Sequence, residues 1–534
     1  MSLLDLPPEL LGMVACHLHS LATISALMKT SRWLHQFLQQ GGFLYDRVPA
    51  NRRDTVLRIA CAEGTKKLAH AMLSRGANPT AEARHGQNPE EPRSSIEYAA
   101  DRGHADIIEM ILDHDTQIFL ADAPSYTLKR AFDRAIVKGQ AQVVRVILDQ
   151  SKKATSETAR GQKSAQFTSQ LLDHGLNFAF RDAQEEVVEA LLADDRVRLI
   201  EWNLPAAATG GNERLVRRCL AGLPHNMANY AASMEKAASC GNAGALKAIL
   251  EVEGVDPNTT VGYSQPPLLV AVKNGHENIV QTLLERSDVQ PELKDSLGWT
   301  PFAIAARKGY RGIMEILWKS GRVDIGWTSI IGQTPLSLAA EAGHGDVVDF
   351  LLSLKGVDVD SPNPQGRTPL SLAAGAGAAR VVKTLLETGR VDPNSRDCDG
   401  QTPLAWAVMQ GFPMRTSGHG QRNAQLAREE KQILALLKDP SGAELEPPTN
   451  SHSKDPDNRR REEATERGMA VLNHLLAREE VFPDSRDNQG HTPLSYAVRY
   501  RHVEAARLLL ATGKVNLHNK DSSGRTPSDW ITKR

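Results

Sequence analysis

Glycines recur in this chain with an unvarying step of 34 residues, at Gly241, Gly275, Gly309, Gly343, Gly377 and Gly411. Thr-Pro pairs keep the same step at Thr300-Pro301, Thr334-Pro335, Thr368-Pro369 and Thr402-Pro403, and resume at Thr492-Pro493 and Thr526-Pro527. A period of this size marks a chain built from one small unit stacked on copies of itself, which excludes a single closed core. The 90 residues from Thr402 to Thr492 mean that one unit carries 56 extra residues.

Residues 367 to 400, RTPLSLAAGAGAARVVKTLLETGRVDPNSRDCDG, read as two short helices and a turn. Thr368 is a natural helix cap, and Pro369 suits a first helical turn, where a missing N–H loses no partner. Ala373 and Ala374 are small enough for a neighbouring helix to approach closely, and Gly377 supplies the permissive backbone where the first helix stops. Val381, Val382, Leu385 and Leu386 recur at the spacing of one apolar helical face. Asp392-Pro393-Asn394 and Asp399-Gly400 are turn chemistry. One such helix pair cannot bury its apolar stripe alone, so its neighbours must cover it.

The succession of Asp-x-x-Gly, Thr-Pro-Leu, Ala-Ala, Gly-His and Leu-Leu, unit after unit, closely resembles the ankyrin family. Gly-His itself stands at Gly103-His104, Gly275-His276 and Gly343-His344. The resemblance implies an all-α ankyrin-repeat solenoid of helix pairs with hairpin turns. It is most specific over residues 265–412 and again over 466–534. Residues 54–260 keep the alanine, glycine and Leu-Leu landmarks but lose Thr-Pro, and read as degenerate repeats, making about a dozen units in all.

Between these stretches, residues 413–465 form a charged insertion within one repeat, read as partly disordered. Its EPPTNSHSKDPDNRRREE portion has too few aliphatic side chains to offset the entropy of ordering. Residues 427–438 carry Ile433, Leu434, Leu436 and Leu437 at helical spacing and could extend the fold. Met469, Val471, Leu472, Leu475 and Leu476 are expected to be the displaced second helix of the interrupted unit. The Arg459-Arg460-Arg461-Glu462-Glu463 run reads as a solvated helix start in preference to a nuclear import signal.

Residues 1–42 do not fit the repeat. Asp5, Pro7 and Pro8 open a helix bearing Leu10, Leu11, Val14 and Leu18; Ser20 opens a second, and Thr30-Ser31 a third bearing Trp33, Leu34 and Phe37. Three helices this short leave apolar surface uncovered, so a partner is expected. Leu6-Pro7, Glu9-Leu10-Leu11, Leu18, Leu27 and Thr30-Ser31-Arg32-x-Leu34 resemble the F-box. In that family such a three-helix domain docks substrate receptors on the Skp-type adaptor of a ubiquitin ligase. The resemblance implies that Leu6, Pro7, Leu10, Leu11 and Trp33 contact the adaptor, although Gly12 weakens the first helix by about 1 kcal/mol relative to alanine. The competing reading of this segment is a helical cap closing the open end of the stack.

Lys plus Arg number 63 and Asp plus Glu 64, so a net charge of −1 supplies no field to gather nucleic acid or an anionic membrane. Five scattered cysteines without a C-x-x-C pair suit a reducing compartment, cytoplasmic or nuclear. The N-terminus reads as no signal peptide, and no apolar run approaches spanning length. No catalytic motif survives inspection: Gly375-Ala376-Gly377 lacks the third glycine of a dinucleotide loop, and H-E-x-x-H and G-x-S-x-G are absent. The expectation is therefore a non-enzyme with no cofactor and no metal, monomeric outside a ligase complex.

The sequence thus reads as a substrate receptor, its N-terminal box on the ligase adaptor and its repeats on an unknown target protein. A scaffold or sequestering protein with no ligase link stays open beside it. In ankyrin-like units, turn tips and first-helix ends face the partner. That places Leu297, Trp299, Ile330, Ile331 and Gln333 at tips, and Arg307, Lys308, Glu341, Met409, Arg499 and Tyr500 at helix ends, as the target-binding set. Large apolar side chains on a water-facing tip suggest a hot spot, unless Trp299 and Ile331 pack on adjacent tips and stiffen the stack.

Overall fold

The computed structural model describes residues 50, 53–82, 93–114, 124–157, 169–260, 265–410, 422–439 and 456–532. The F-box-like segment, with Leu6, Pro7, Leu10, Leu11 and Trp33, lies outside the described residues. All regular structure among the described residues is helical, and the chain divides into two compact units, Met1–Asp256 with Thr260–Gly262, and Tyr263–Arg534 with Pro257–Thr259.

Among its described residues the first unit holds six helix pairs: α1 (Arg53–Glu63) with α2 (Lys66–Leu73), α3 (Ser95–Arg102) with α4 (Ala105–His114), α5 (Pro124–Val137) with α6 (Ala141–Glu157), α7 (Ser169–Arg181) with α8 (Glu185–Leu192), α9 (Asn203–Gly210) with α10 (Glu213–Gly222), and α11 (Met227–Cys240) with α12 (Ala243–Leu250). First helices pack on first helices down the stack and each on its own partner. These units lack Thr-Pro, and three of their helices are capped by other residues. Ser94 accepts the Glu97 N–H while Glu97 returns a bond to the Ser94 backbone, and Asn212 and Asn226 cap α10 and α11. Each such cap is worth about 1 kcal/mol over alanine.

The second unit continues with α13 (Pro267–Asn274), α14 (Glu277–Leu284), α15 (Pro301–Lys308), α16 (Arg311–Lys319), α17 (Pro335–Ala342), α18 (Gly345–Ser353), α19 (Pro369–Gly375), α20 (Ala379–Glu387), α21 (Pro403–Gln410), α22 (Arg422–Lys438), α23 (Pro456–Leu476), α24 (Pro493–Tyr500), α25 (Val503–Ala511) and α26 (Asp529–Thr532). Thr300, Thr334, Thr368 and Thr492 each accept the backbone N–H three residues on, so the Thr-Pro pairs are helix starts. Gly275, Gly309 and Gly343 end first helices in the left-handed region, at φ 77–80°. Alanines and branched aliphatics such as Ala305, Ala339, Ala373, Ile313, Val347 and Leu385 are fully buried between the pairs.

The insertion leaves the repeat register intact. Asn258 accepts the Gln290 N–H through Oδ1 at 2.8 Å and donates from Nδ2 to the Asp288 carbonyl at 2.8 Å. Asn394 makes the same two bonds to Phe482 and Glu480, at 2.9 and 2.6 Å, across a separation of 88 and 86 residues. α23 supplies the second helix of the interrupted unit, burying Val471, Leu472 and Leu475 against α20, α21 and α25. It begins at Pro456, so residues 456–465 are helical, and the helix includes the Arg459-Arg460-Arg461-Glu462-Glu463 run that the sequence offers as a helix start. Once Val471 and its neighbours fix the last turns, propagation toward the N-terminus costs little in a sequence rich in Arg and Glu. α22 packs on α25 and buries Ile433 and Leu436.

Candidate protein-binding surface

Five hairpin tips of the second unit share one design. Asp295, Asn363, Asp397, Asp487 and Asp521 each accept two backbone N–H groups through Oδ1, two and four residues on, at 2.8–3.1 Å. The sixth tip begins with Ser329, whose Oγ accepts only the Gln333 N–H, at 3.0 Å.

Successive tips are also joined by backbone bonds. Cys398 N donates to Gln365 O, Asn488 N to Asp399 O and Ser522 N to Gln489 O, each at 2.9 Å. This ladder stops upstream of residue 365. The donor position there is Pro364, which has no N–H to offer Ile331 O, and no bond joins Ile330 N to Leu297 O. Large apolar side chains stand at this break: Leu297 is 60 %, Ile330 83 % and Ile331 49 % exposed.

The other residues singled out from sequence divide into two groups. Arg307, Lys308, Glu341 and Arg499 are exposed at first-helix ends, with Met409 and Tyr500 half-buried. Trp299 and Gln333 are engaged inside the stack. The Trp299 ring packs on Ala303, Trp327 and Leu338 under the Arg307 guanidinium, 5.0 Å from the ring centre. Gln333 is buried and donates to Glu341 Oε2 at 3.0 Å. Trp299 is thus a stiffening contact between adjacent repeats, whereas Ile330 projects outward.

Arg–Trp stacking recurs further along. Arg367 lies 3.8 Å over Trp406, whose Nε1 donates to Asp397 Oδ2 at 2.8 Å, and both Arg499 and Arg525 lie over Trp530, at 4.5 and 3.8 Å. Burial lowers the Arg367 guanidinium pKa, opposed by Glu341 and Asp397. His491 sits between Asp487 and Asp521, its Nδ1 and Nε2 at 3.4 and 3.7 Å from their carboxylates. Sequence reading missed these layers because the contacts of Arg367 with Trp406, Arg499 with Trp530 and His491 with Asp521 join residues of neighbouring repeats.

Among the described residues the perturbed groups do not bring a nucleophile and a base together. Burial pushes the Glu97 carboxyl upward while Arg130 opposes it; Glu97 is the capping-box partner of Ser94 at the start of α3, paired with Arg130 at 3.2 Å and Arg134 at 3.7 Å. The adjoining cleft, about 270 Å³ and lined by Asp101, Arg130, Asp133, Arg134, Val137 and Lys138, holds no nucleophile beside a base. Among the described residues no His, Cys, Asp and Glu cluster could hold a metal ion, and no helix is long and apolar enough to cross a membrane.

Residues 234–329, 268–363, 336–414 and 463–532 match the family model for ankyrin repeats (3 copies). The chain carries ankyrin repeats. The matched ankyrin segments fall on either side of the insertion, and the helix pairs upstream of residue 234 lie beyond them. No curated protein matches the chain. Ankyrin repeats are protein-binding structures.

Proposed function

We propose that the chain is a substrate receptor: its ankyrin stack captures a target protein, and residues 1–42 hold a Skp-type adaptor of a ubiquitin ligase. The observation that carries the receptor half is the exposure of Leu297, Ile330 and Ile331 on adjacent tips, where water contact gives large apolar side chains no structural purpose. The adaptor half is supported by the order of Leu6-Pro7, Leu10-Leu11 and Trp33 in the sequence. Covalent chemistry then belongs to other subunits, and the chain contributes proximity. Tethering a target beside the transfer site replaces a bimolecular encounter with an effectively intramolecular one.

Affinity purification of the full chain, with and without Leu6→Ala and Pro7→Ala together, tests the adaptor half. Recovery of a Skp-type adaptor with the parent chain and its loss with the variant is the expected result. Recovery of no adaptor would leave an ankyrin scaffold or sequestering protein and end the ligase reading.

A further inference from the structure

The tips around Leu297 and Ile330 differ from the rest of the unit in three independent ways. Their backbones are not joined by the bond that links the tips from Gln365 onward, because Pro364 has no N–H and Ile330 N does not reach Leu297 O. Their exposed side chains are aliphatic, where the later tips carry Cys398-Asp399, Asn488-Gln489 and Ser522-Ser523 at the same two positions. The charge beside them is positive and unspent. Arg307, exposed at the end of α15, stacks on Trp299 and has no carboxylate partner among the described residues. The two nearby carboxylates are already engaged: Asp295 is nearly buried on Lys273, at 3.0 Å, and Glu341 takes the Gln333 amide.

Resting on the receptor reading, we infer that this break in the tip ladder binds a peptide segment of the partner that combines aliphatic side chains with an acidic residue. The aliphatic groups cover Leu297, Ile330 and Ile331, removing apolar surface from water. The carboxylate meets the Arg307 guanidinium, whose fork suits a bidentate carboxylate and whose face is already held flat by the Trp299 ring. A basic segment is disfavoured there by the same guanidinium.

The test pans a phage-displayed library of random dodecapeptides on the immobilised full chain. Enriched peptides should carry aliphatic residues with Asp or Glu, and should lose about tenfold or more in affinity on Leu297→Ser with Ile330→Ser, at an unchanged melting temperature. Arg307→Glu should turn the enriched peptides from acidic to basic. Failure to enrich any sequence, or enrichment indifferent to both the serine pair and the charge reversal, would overturn the inference. Peptides that ignore these variants but are lost on Arg499→Glu would also overturn it, while leaving the receptor reading in place with a different contact surface.

Discussion

Arg501 adopts φ 60° at the turn that glycine fills after α13, α15 and α17, and its guanidinium donates from Nε and Nη2 to Glu430 Oε1 of α22 at 3.1 and 2.7 Å. A left-handed non-glycine residue costs about 1–2 kcal/mol, so the ion pair is made at a strained position. The pair is only partly exposed, with side chains 16 % and 29 % accessible.

Glycine and alanine at position 501 should therefore differ in an unusual order. Arg501→Gly loses the ion pair but relieves the backbone, and should change unfolding free energy by less than about 1 kcal/mol. Arg501→Ala loses the pair and keeps the strain, and should destabilise by about 1 kcal/mol more than glycine does. Urea denaturation of both variants gives the comparison. Equal effects would show that the turn is not strained.

The inserted helix should behave as part of the stack. Ile433 is fully buried and Leu436 is 2 % exposed, so Ile433→Ala should cost about 2–4 kcal/mol of the cooperative unfolding that includes α25. Amide exchange through residues 503–511 should rise in step. A variant that melts like the parent would mean that α22 docks without supporting its neighbour.

The tip that begins with Ser329 invites repair. Ser329→Asn would supply an Oδ1 that reaches two N–H groups, as that of Asn363 does one repeat on, giving the Ile331 N–H a partner. The expected gain is about 0.5–1 kcal/mol, read from the chemical denaturation midpoint. A loss of stability would show that the buried Ser329 site has no room for the amide.

Asp295 makes the second unit sensitive to acid. Burial alone would raise its carboxyl, but the Trp299 N–H, Lys273 and the Leu297 N–H together hold it below the ordinary 3.8. A depressed carboxyl contributes stability in full above its unfolded value, and the contribution fades as pH falls through the lower folded value. Asp295→Asn should thus cost about 1–2 kcal/mol at pH 7 and progressively less below pH 4. Thermal melts across that range would contradict the argument if the gap between the two proteins were constant.

Much of this architecture was legible from spacing. Thr334 and Thr368 cap helices because Thr-Pro has little other use before an apolar run, and Gly309 turns the chain because a side chain there is strained. The aliphatic tips at Leu297 and Ile330 were legible for the same reason, being apolar where polarity is the rule. For Trp299 the sequence left target contact and packing on an adjacent tip both open, because its burial depends on Trp327 in the following repeat and a single unit read alone leaves that ring in water. The Arg501–Glu430 pair spans 71 residues and has no periodic signature, so no spacing argument reaches it. A helix start near Arg459 was legible in the charge pattern, but its beginning at Pro456 was not, because composition measures what a segment can bury and ignores the helix it can inherit from its neighbour.

The missing N–H of Pro364 also has a mechanical meaning. From Gln365 to Ser522 each tip is tied to the next by a backbone bond, so a load that bends the hairpin side must stretch every rung in turn. Between Leu297 and Pro364 no such rungs stand, and the neighbouring repeats are joined instead by side chains: Trp299 packs on Trp327, Glu292 accepts the Asp324 N–H at 3.1 Å, and Arg322 donates to the Val289 carbonyl at 2.8 Å. The ladder of the second unit is thus open at its most apolar tips, and anything that grips Ile330 acts where no backbone rung ties one tip to the next.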